Sequence, residues 1–437
     1  MVSEPLQSKT ISGEKLEKQF KDAILASCSG FCAQIGRGNN IKMCKKTISD
    51  RQNIVIIGGC GHVGIPLGLA FASRDFDVTL LDRNADSIAL INTGKLPFKE
   101  DRGEEYLSRH LGRNLHTSMD PADVQTADVV IFVVGTPVDE HLNPKVRNVL
   151  ATIKEYQQYL SDRQLVIMRS TLYPGTLRII GDQLEKSGLH PLLAFCPERI
   201  LQGKGIEEIF NLPQIVSGLT QEAEDAASEL FLKLTDKVIR TTPEEAELAK
   251  LMTNSWRYLN FAIANQFYMM ATESGIDFNH VYKAMTTDYP RAKDFVRPGL
   301  AAGPCLFKDT MQLASFYHNN FFLGHAAMLI NEGLPDHLVK QLKNQLSGDL
   351  RNKKIAILGM TFKANNDDTR ESLSFKLKKL LEIEMAEVLE CDPYLPGSVP
   401  LERALTDADG IILGVPHKEY LELHPSVPFV DCWGIWS

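Results

Sequence analysis

Beyond residue 50, apolar residues come in short β-branched runs separated by longer stretches with helical character. The runs are Ile54–Ile57, Val78–Leu81, Val129–Val134 and Leu165–Met168. Runs this short, bounded by turns and alternating with helices, predict a parallel sheet wound with helices. The pattern changes at Pro243. From there to Gly275 no internal proline or glycine interrupts the chain, which predicts one long helix. Pro243 suits a first helical turn, Glu244 and Glu245 sit at the positive end of the helix dipole, and Gly275 suits a stop. Alternation then resumes, with strand candidates in 353–360, 386–394, 410–415 and 428–433. The expected fold is α/β, with two Rossmann-like parallel-sheet domains joined by a long central helix and a helical middle domain. The predicted divisions are a weakly ordered extension over 1–50, a first sheet domain over 51–240, a helical middle over 241–335 and a second sheet domain over 336–437.

The long helix carries an unusual stripe. Lys250, Asn254, Arg257 and Asn265 fall on one face, while Leu248, Leu251, Met252, Leu259 and Ile263 on the neighbouring faces are expected to pack. A polar stripe on such a helix is either solvated surface or the lining of a site.

Composition narrows the class. With 44% hydrophobic and 23% charged residues the chain reads as globular, and a net charge of -8 argues against coating nucleic acid. Eight scattered cysteines suit a reducing compartment better than a disulfide framework. Cys28 and Cys32 lack a second pair at zinc-like spacing, so no metal is expected. The longest apolar stretch, Ile54 to Ala72, holds five glycines, His62 and Pro66. A strand, a turn and a helix explain it better than a membrane span. Residues 1–50 have no signal-peptide core, and a cytoplasmic location is expected.

Within that stretch, Gly59-Cys60-Gly61-His62-Val63-Gly64 fits the G-x-G-x-x-G dinucleotide fingerprint between a strand and a helix. Asp82 follows at the end of the next strand candidate, where a carboxylate bonds a ribose 2′-hydroxyl and repels a 2′-phosphate. NAD is therefore expected rather than NADP, with Arg83 beside Asp82 as the one dissenting charge. Cys60 and Cys196 read as packing residues, and His62 reads as a loop histidine within reach of the cofactor. The second sheet domain has no such glycine loop. Its Lys363 and Arg370, in "FKANNDDTRES", offer cationic donors suited to a different nucleotide diphosphate.

These segments, with "VVGTPVDE", "RSTLYPGT", "CPERILQG", "AELAKLMTNSWRYLNFAIAN" and "GPCLFKD", resemble the UDP-glucose/GDP-mannose dehydrogenase family over residues 53–437. That resemblance implies NAD-dependent oxidation of the C6 alcohol of a UDP- or GDP-linked sugar to a carboxylate, of the kind that feeds polysaccharide biosynthesis. It implies a homodimer built on the long helix, which composition and spacing do not show. It places the nucleophile at Cys305, the oxyanion-stabilising lysine at Lys250 with Asn254 as partner, and a proton-handling aspartate at Asp309. Thr171 corresponds to a water-holding threonine and Glu198 to a proposed general base. The cofactor set it implies is Gly59, Gly61, His62, Val63, Gly64, Asp82, Arg83, Thr136, Pro137, Ser170 and Arg370. For the UDP-sugar it implies Arg199, Ile200, Leu201, Gln202, Arg257, Gly303 and Lys363.

The chemistry asks for such residues. A lone cysteine is usually a buried small hydrophobe, but oxidising an alcohol through to an acid needs a group to hold the aldehyde. A thiolate does so as a thiohemiacetal and then a thioester, which a water hydrolyses with help from a base and an oxyanion donor. A thiol pKa lowered by a neighbouring lysine would help.

The sugar is less readable. Gln202 stands where UDP-glucose members usually have glutamate, and Arg199, Arg257 and Asn260 are similar to members acting on UDP-N-acetylhexosamines. Pro304 stands where those members usually have histidine, and "CLFKD" is similar to the UDP-glucose branch. The balance favours a UDP-N-acetylhexosamine over UDP-glucose. Two alternatives stand: a two-electron hydroxyacid or 6-phosphogluconate-type dehydrogenase, and a catalytically silent NAD- or nucleotide-sugar-binding protein. Neither needs Cys305, Lys250, Asn254 and Asp309 together.

Overall fold

The computed structural model of the protein describes residues 52–300, 303 and 305–436; the expected weak order of 1–50 falls outside this set, as do Ala301, Ala302 and Pro304. The first part runs β1 (Asn53–Ile57), α1 (Gly64–Ala72), β2 (Asp77–Leu81), α2 (Ala85–Asn92), α3 (Gly103–His110) and β3 (Leu115–Ser118). It continues with β4 (Val129–Phe132), α4 (Val146–Tyr156), β5 (Leu165–Met168), α5 (Thr176–Lys186) and β6 (Leu192–Phe195). It ends with α6 (Gly205–Asn211), β7 (Gln214–Gly218), α7 (Gln221–Phe231) and β8 (Val238–Arg240). The helical middle holds α8 (Pro243–Glu273), α9 (Phe278–Thr286), α10 (Leu306–Phe316) and α11 (Phe322–Gln345). The last part is β9 (Lys354–Leu358), α12 (Leu373–Ile383), β10 (Glu387–Cys391), α13 (Leu401–Asp407), β11 (Gly410–Leu413) and β12 (Phe429–Val430).

The first sheet has the order β3-β2-β1-β4-β5-β6-β7-β8, and the second β10-β9-β11-β12. The second repeats the β2-β1-β4-β5 order of the first, so the two halves share one winding rule. All neighbours are parallel except β6 and β7, which run antiparallel. Strand order reverses between β1 and β4, and ligands of such sheets bind outside the carboxyl ends at that point. Successive residues of β1 feed opposite faces: Ile54 and Ile56 join one core, Val55 and Ile57 the other. A third core joins Tyr268 of α8 and Leu334 and Leu338 of α11 to Ile355 and Ile357 of β9. The helical middle and the second sheet therefore share apolar packing, and α11 passes through position 335 without a break.

Helix α8 starts as its sequence predicts. Thr242 and Glu245 form a capping box, and Gly275 adopts φ +71 just beyond the end. The packing expected along it is only partly met. Leu251 is buried, but Met252 and Ile263 are exposed and line up with Trp256, Phe267 and Met270, also exposed. Among the described residues, no helix is long and apolar enough to cross a membrane.

Candidate active site

The glycine loop is shaped by its neighbours. A Cβ at Gly59 would lie 2.7 Å from both the Ile56 carbonyl oxygen and the Leu80 Cα, and one at Gly64 would lie 2.5 Å from the Gly59 carbonyl oxygen. Both glycines are demanded by the strand–turn–helix packing itself. Gly61 differs: its Cβ would meet only the Gly58 oxygen, at 3.6 Å, an ordinary contact. The fold leaves that position open, which is what a pyrophosphate approaching the backbone needs. Asp82 sits just past β2, with Oδ2 accepting from the Cys60 N–H at 2.9 Å and Oδ1 from the Asn84 N–H at 3.0 Å. It lines a cavity of about 590 Å³ with Gly58, Val133, Gly135, Thr152 and Tyr156. Arg83 pairs with Glu155 on the same rim, so its charge is compensated and less available to a 2′-phosphate. Open glycine, ribose-facing carboxylate and adjoining cavity together fit NAD.

The second sheet treats the same position differently. Asp392 follows β10 as Asp82 follows β2, and where Asp82 Oδ2 accepts from one loop amide, Asp392 Oδ2 accepts from two, the Met360 and Thr361 N–H groups at 2.6 and 3.0 Å. His417, fully buried, closes the network, with Nε2 3.1 Å from the same oxygen. This loop is internally satisfied and offers side chains, not backbone, to a ligand.

Between the sheets, five predicted residues converge. Asp309 is 0% exposed, and its Oδ2 accepts from Asn254 Nδ2 at 2.6 Å and Thr171 Oγ1 at 3.4 Å. Asn254 comes from α8, Thr171 from the loop after β5 and Asp309 from the first turn of α10. The ammonium of Lys308 is 3.1 Å from Oδ1, but Oδ1 forms no aligned hydrogen bond. Lys250, one turn before Asn254, is buried, and burial pushes its pKa down. Asp309, Cys305 and Glu198 oppose that shift, so the ammonium is stabilised by the groups it is expected to serve.

Cys305 is the N-cap residue of α10, at the positive end of the helix dipole, and its side chain makes no cap hydrogen bond. It keeps contact with solvent, yet protein crowds it enough that desolvation pushes the thiol pKa up, with Asp309 adding to the rise. Lys308, Lys250 and Arg370 pull the other way without prevailing. Burial outweighs the three cations, so the thiol pKa is raised where a lowered one would help.

Glu198 is locked. Arg169, fully buried, donates to its Oε2 from Nε at 3.0 Å and Nη2 at 2.6 Å. Its Oε1 accepts from the Arg199 and Ile200 N–H groups at 2.6 and 2.8 Å. Such a carboxylate is fixed in place by its donors and acts on Lys250 through its charge. Glu247, one turn before Lys250, accepts from the Gly175 and Leu177 N–H groups at 2.5 and 2.9 Å and so pins the segment that carries Thr171. Burial raises its carboxyl to about 7.

Other predicted residues are placed less simply. Thr136 receives a hydrogen bond from Lys308 Nζ at 3.1 Å, and Pro137 lines the neighbouring crevice. Ser170 has a buried hydroxyl without a partner among the described residues. Val63 caps α1, and Leu201 bonds Glu208 through its N–H at 2.5 Å. The Arg199 side chain turns back to the Pro213 carbonyl, away from the cluster. Arg257 is exposed, close enough to Lys363 to depress its pKa further after burial. Gly303, at φ +118, lies where a Cβ would come 2.8 Å from the Phe362 ring. Asn265 is not part of the site: its amide bonds the Gly299 backbone at 2.8 and 3.0 Å and anchors the approach to Cys305. His62 is stacked on Phe98 with centroids 3.9 Å apart, and burial lowers its pKa to about 4. Sequence reasoning missed Lys308, whose bond to Thr136 joins α10 to the cofactor loops, and Asp368, which gathers Arg370 and Gln202. Only the acidic pair in "NNDD" hinted at the latter.

Residues 52–235, 244–332 and 356–437 match the NAD binding, central and UDP binding domains of the UDP-glucose/GDP-mannose dehydrogenase family. The chain is 30% identical over 383 residues to a UDP-N-acetyl-D-mannosamine dehydrogenase of Pyrococcus horikoshii, covering 84% of this chain and 90% of that one. The solved structure of the UDP-D-ManNAc dehydrogenase from Pyrococcus horikoshii superposes with a TM-score of 0.79 at 29% identity, over 85% of this chain and 91% of that one. A UDP-glucose dehydrogenase from Pyrobaculum islandicum shares the fold with a TM-score of 0.82 at 24% identity, over 92% and 96% of the two chains. The residues around Gly61 and Asp82 belong to the NAD binding domain, and NAD is the cofactor. The chain belongs to the UDP-glucose/GDP-mannose dehydrogenase family and is a nucleotide-sugar dehydrogenase.

Proposed function

We propose that the protein is a UDP-sugar 6-dehydrogenase that carries its substrate from alcohol to acid on Cys305. The observation that carries this reading is the convergence of Asn254 and Thr171 on the buried carboxylate of Asp309, four residues after Cys305. A two-electron dehydrogenase would have no use for a thiol beside such a cluster.

Bound NAD supplies a hydride acceptor for each of two oxidations. In the first, the C6 hydroxyl loses its proton to the Lys250–Asp309 group, leaving an aldehyde. The Cys305 thiol adds to that carbonyl, its sulfur bonding C6 and its proton passing to the new oxygen, to give a thiohemiacetal. The second oxidation removes the remaining C6 hydride and the hydroxyl proton, leaving a thioester. A water held by Thr171 and Asp309 then attacks, Lys250 steadies the oxyanion, and the C–S bond breaks to release carboxylate and thiol. Because the thiol pKa is raised, its proton reaches the new oxygen through a neighbour that has first released the hydroxyl proton to solvent. Lys250, with its own pKa lowered by burial, is placed for that task.

The proposed substrate is a UDP-N-acetylhexosamine, supported by the relative named for UDP-N-acetyl-D-mannosamine and by Arg257, which lies close enough to Lys363 to depress its pKa. The test is kcat/KM across UDP-N-acetylmannosamine, UDP-N-acetylglucosamine, UDP-N-acetylgalactosamine and UDP-glucose, each with NAD and NADP. The acetamido sugars with NAD are expected to lead; a preference for UDP-glucose would contradict the substrate assignment. The exposed stripe of Met252, Trp256, Ile263, Phe267 and Met270 supports homodimerisation through α8. Light scattering is expected to give twice the 48.8 kDa chain mass; a monomer would contradict it.

A further inference from the structure

Asp368 is the meeting point of segments that the reaction alone would not bring together. Its side chain is buried, and Arg370 donates to it from Nε at 2.9 Å and from Nη2 at 2.6 Å. Gln202 donates from Nε2 to Oδ2 at 3.0 Å, and His62 Nε2 lies 3.6 Å from the same oxygen. Beside it, Asp367 accepts from the Lys99 N–H at 3.0 Å, while Lys363 Nζ donates back to the Gln202 carbonyl at 3.0 Å. His62, Lys99 and Gln202 belong to the first sheet domain; Lys363, Asp367, Asp368 and Arg370 precede α12 of the second. The contacts alternate in direction, so each side both donates and accepts.

Two details give this junction a direction of action. His62 sits inside the glycine loop between Gly61 and Gly64, so whatever orders that loop also orders His62. The Gln202 side chain faces Asp368 and presents a donor there. A carboxylate at 202 would place two anions about 3 Å apart, which is destabilising.

We propose that Gln202 and Asp368, with His62 of the glycine loop packed against Asp368, form an interdomain latch that couples cofactor occupancy of the glycine loop to nucleotide-sugar binding by the second domain. NAD fixes the loop and with it His62; the nucleotide sugar fixes the segment that holds Lys363, Asp368 and Arg370; each ligand thereby prepares the latch for the other. Thermodynamic reciprocity requires the effect to be equal in both directions. The inference rests on the proposed UDP-sugar reading.

Calorimetry on the full chain tests it, with UDP as the probe for the second domain. Saturating UDP is expected to tighten NAD binding at least about five-fold, and saturating NAD to tighten UDP by the same factor. In Gln202→Glu the factor is expected to fall towards one. In the double variant Gln202→Glu with Asp368→Asn, which restores a donor facing a carboxylate in reversed polarity, it is expected to return. A merely structural contact would shift the melting temperature and leave the factor alone. A factor near one in the unaltered chain would overturn the latch, as would an unchanged factor in Gln202→Glu or no recovery in the double variant. Failure of either nucleotide to bind by itself would instead overturn the functional reading beneath it.

Discussion

Replacing Cys305 by serine is expected to lower sugar-acid formation at least about a thousand-fold, the scale of losing a covalent nucleophile. A serine hydroxyl at that position is a far weaker nucleophile near neutral pH, even at the N-terminus of α10. Cys305 touches solvent, so the added hydroxyl buries no unsatisfied polar group, and the variant should fold and bind NAD. The measurement is acid produced from the UDP-sugar, read by chromatography, with NAD binding as the control for folding. Acid at an undiminished rate would remove Cys305 from the chemistry.

The second large effect belongs to Asp309. Asp309→Asn is expected to cost about a hundred-fold or more in kcat, the usual worth of a positioned proton-transfer group. It also has a signed consequence for pH. Asp309 is the largest of the charges that raise the Lys250 pKa against burial. Removing it lets that pKa fall further, so the protonated lysine is lost at lower pH. The alkaline limb of the kcat profile should therefore move down the pH scale in the variant. A limb that stays in place or moves up would show that the Asp309 charge does not support the Lys250 ammonium.

How much of this was legible beforehand follows from where each signal lies. β1, β2, β4, β5, β9 and β11 were readable because central parallel strands are apolar, while β10 and β12, at the edges of the second sheet, were readable from short apolar runs before a turn. β3, with the sequence LHTS, and β8, with VIR, lie at the first sheet's edges and carry no such run. The polar stripe on α8 was real, but its members divide. Lys250 and Asn254 line the site, Asn265 braces the backbone before Cys305, and Arg257 is exposed. Periodicity gives a face, not a depth. Met252 and Ile263 were expected to pack and instead lie outside, because apolar spacing cannot distinguish a core from a surface waiting for a partner. The identity of Cys305 came from the resemblance. The clamp of Arg169 on Glu198 and the turn of Gln202 towards Asp368 join residues 29 and 166 apart, and the raised thiol pKa comes chiefly from burial, none of which a local pattern encodes.

The central claim is that one thiol carries the sugar through both oxidations, and the ratio of NADH formed to sugar acid released tests it most directly. With purified protein, a single UDP-sugar and excess NAD, the account predicts two NADH for each acid and no free aldehyde. The Cys305→Ser variant should release no acid under the same conditions. One NADH per product, or two with the serine variant still turning over, would contradict the thioester route through Cys305.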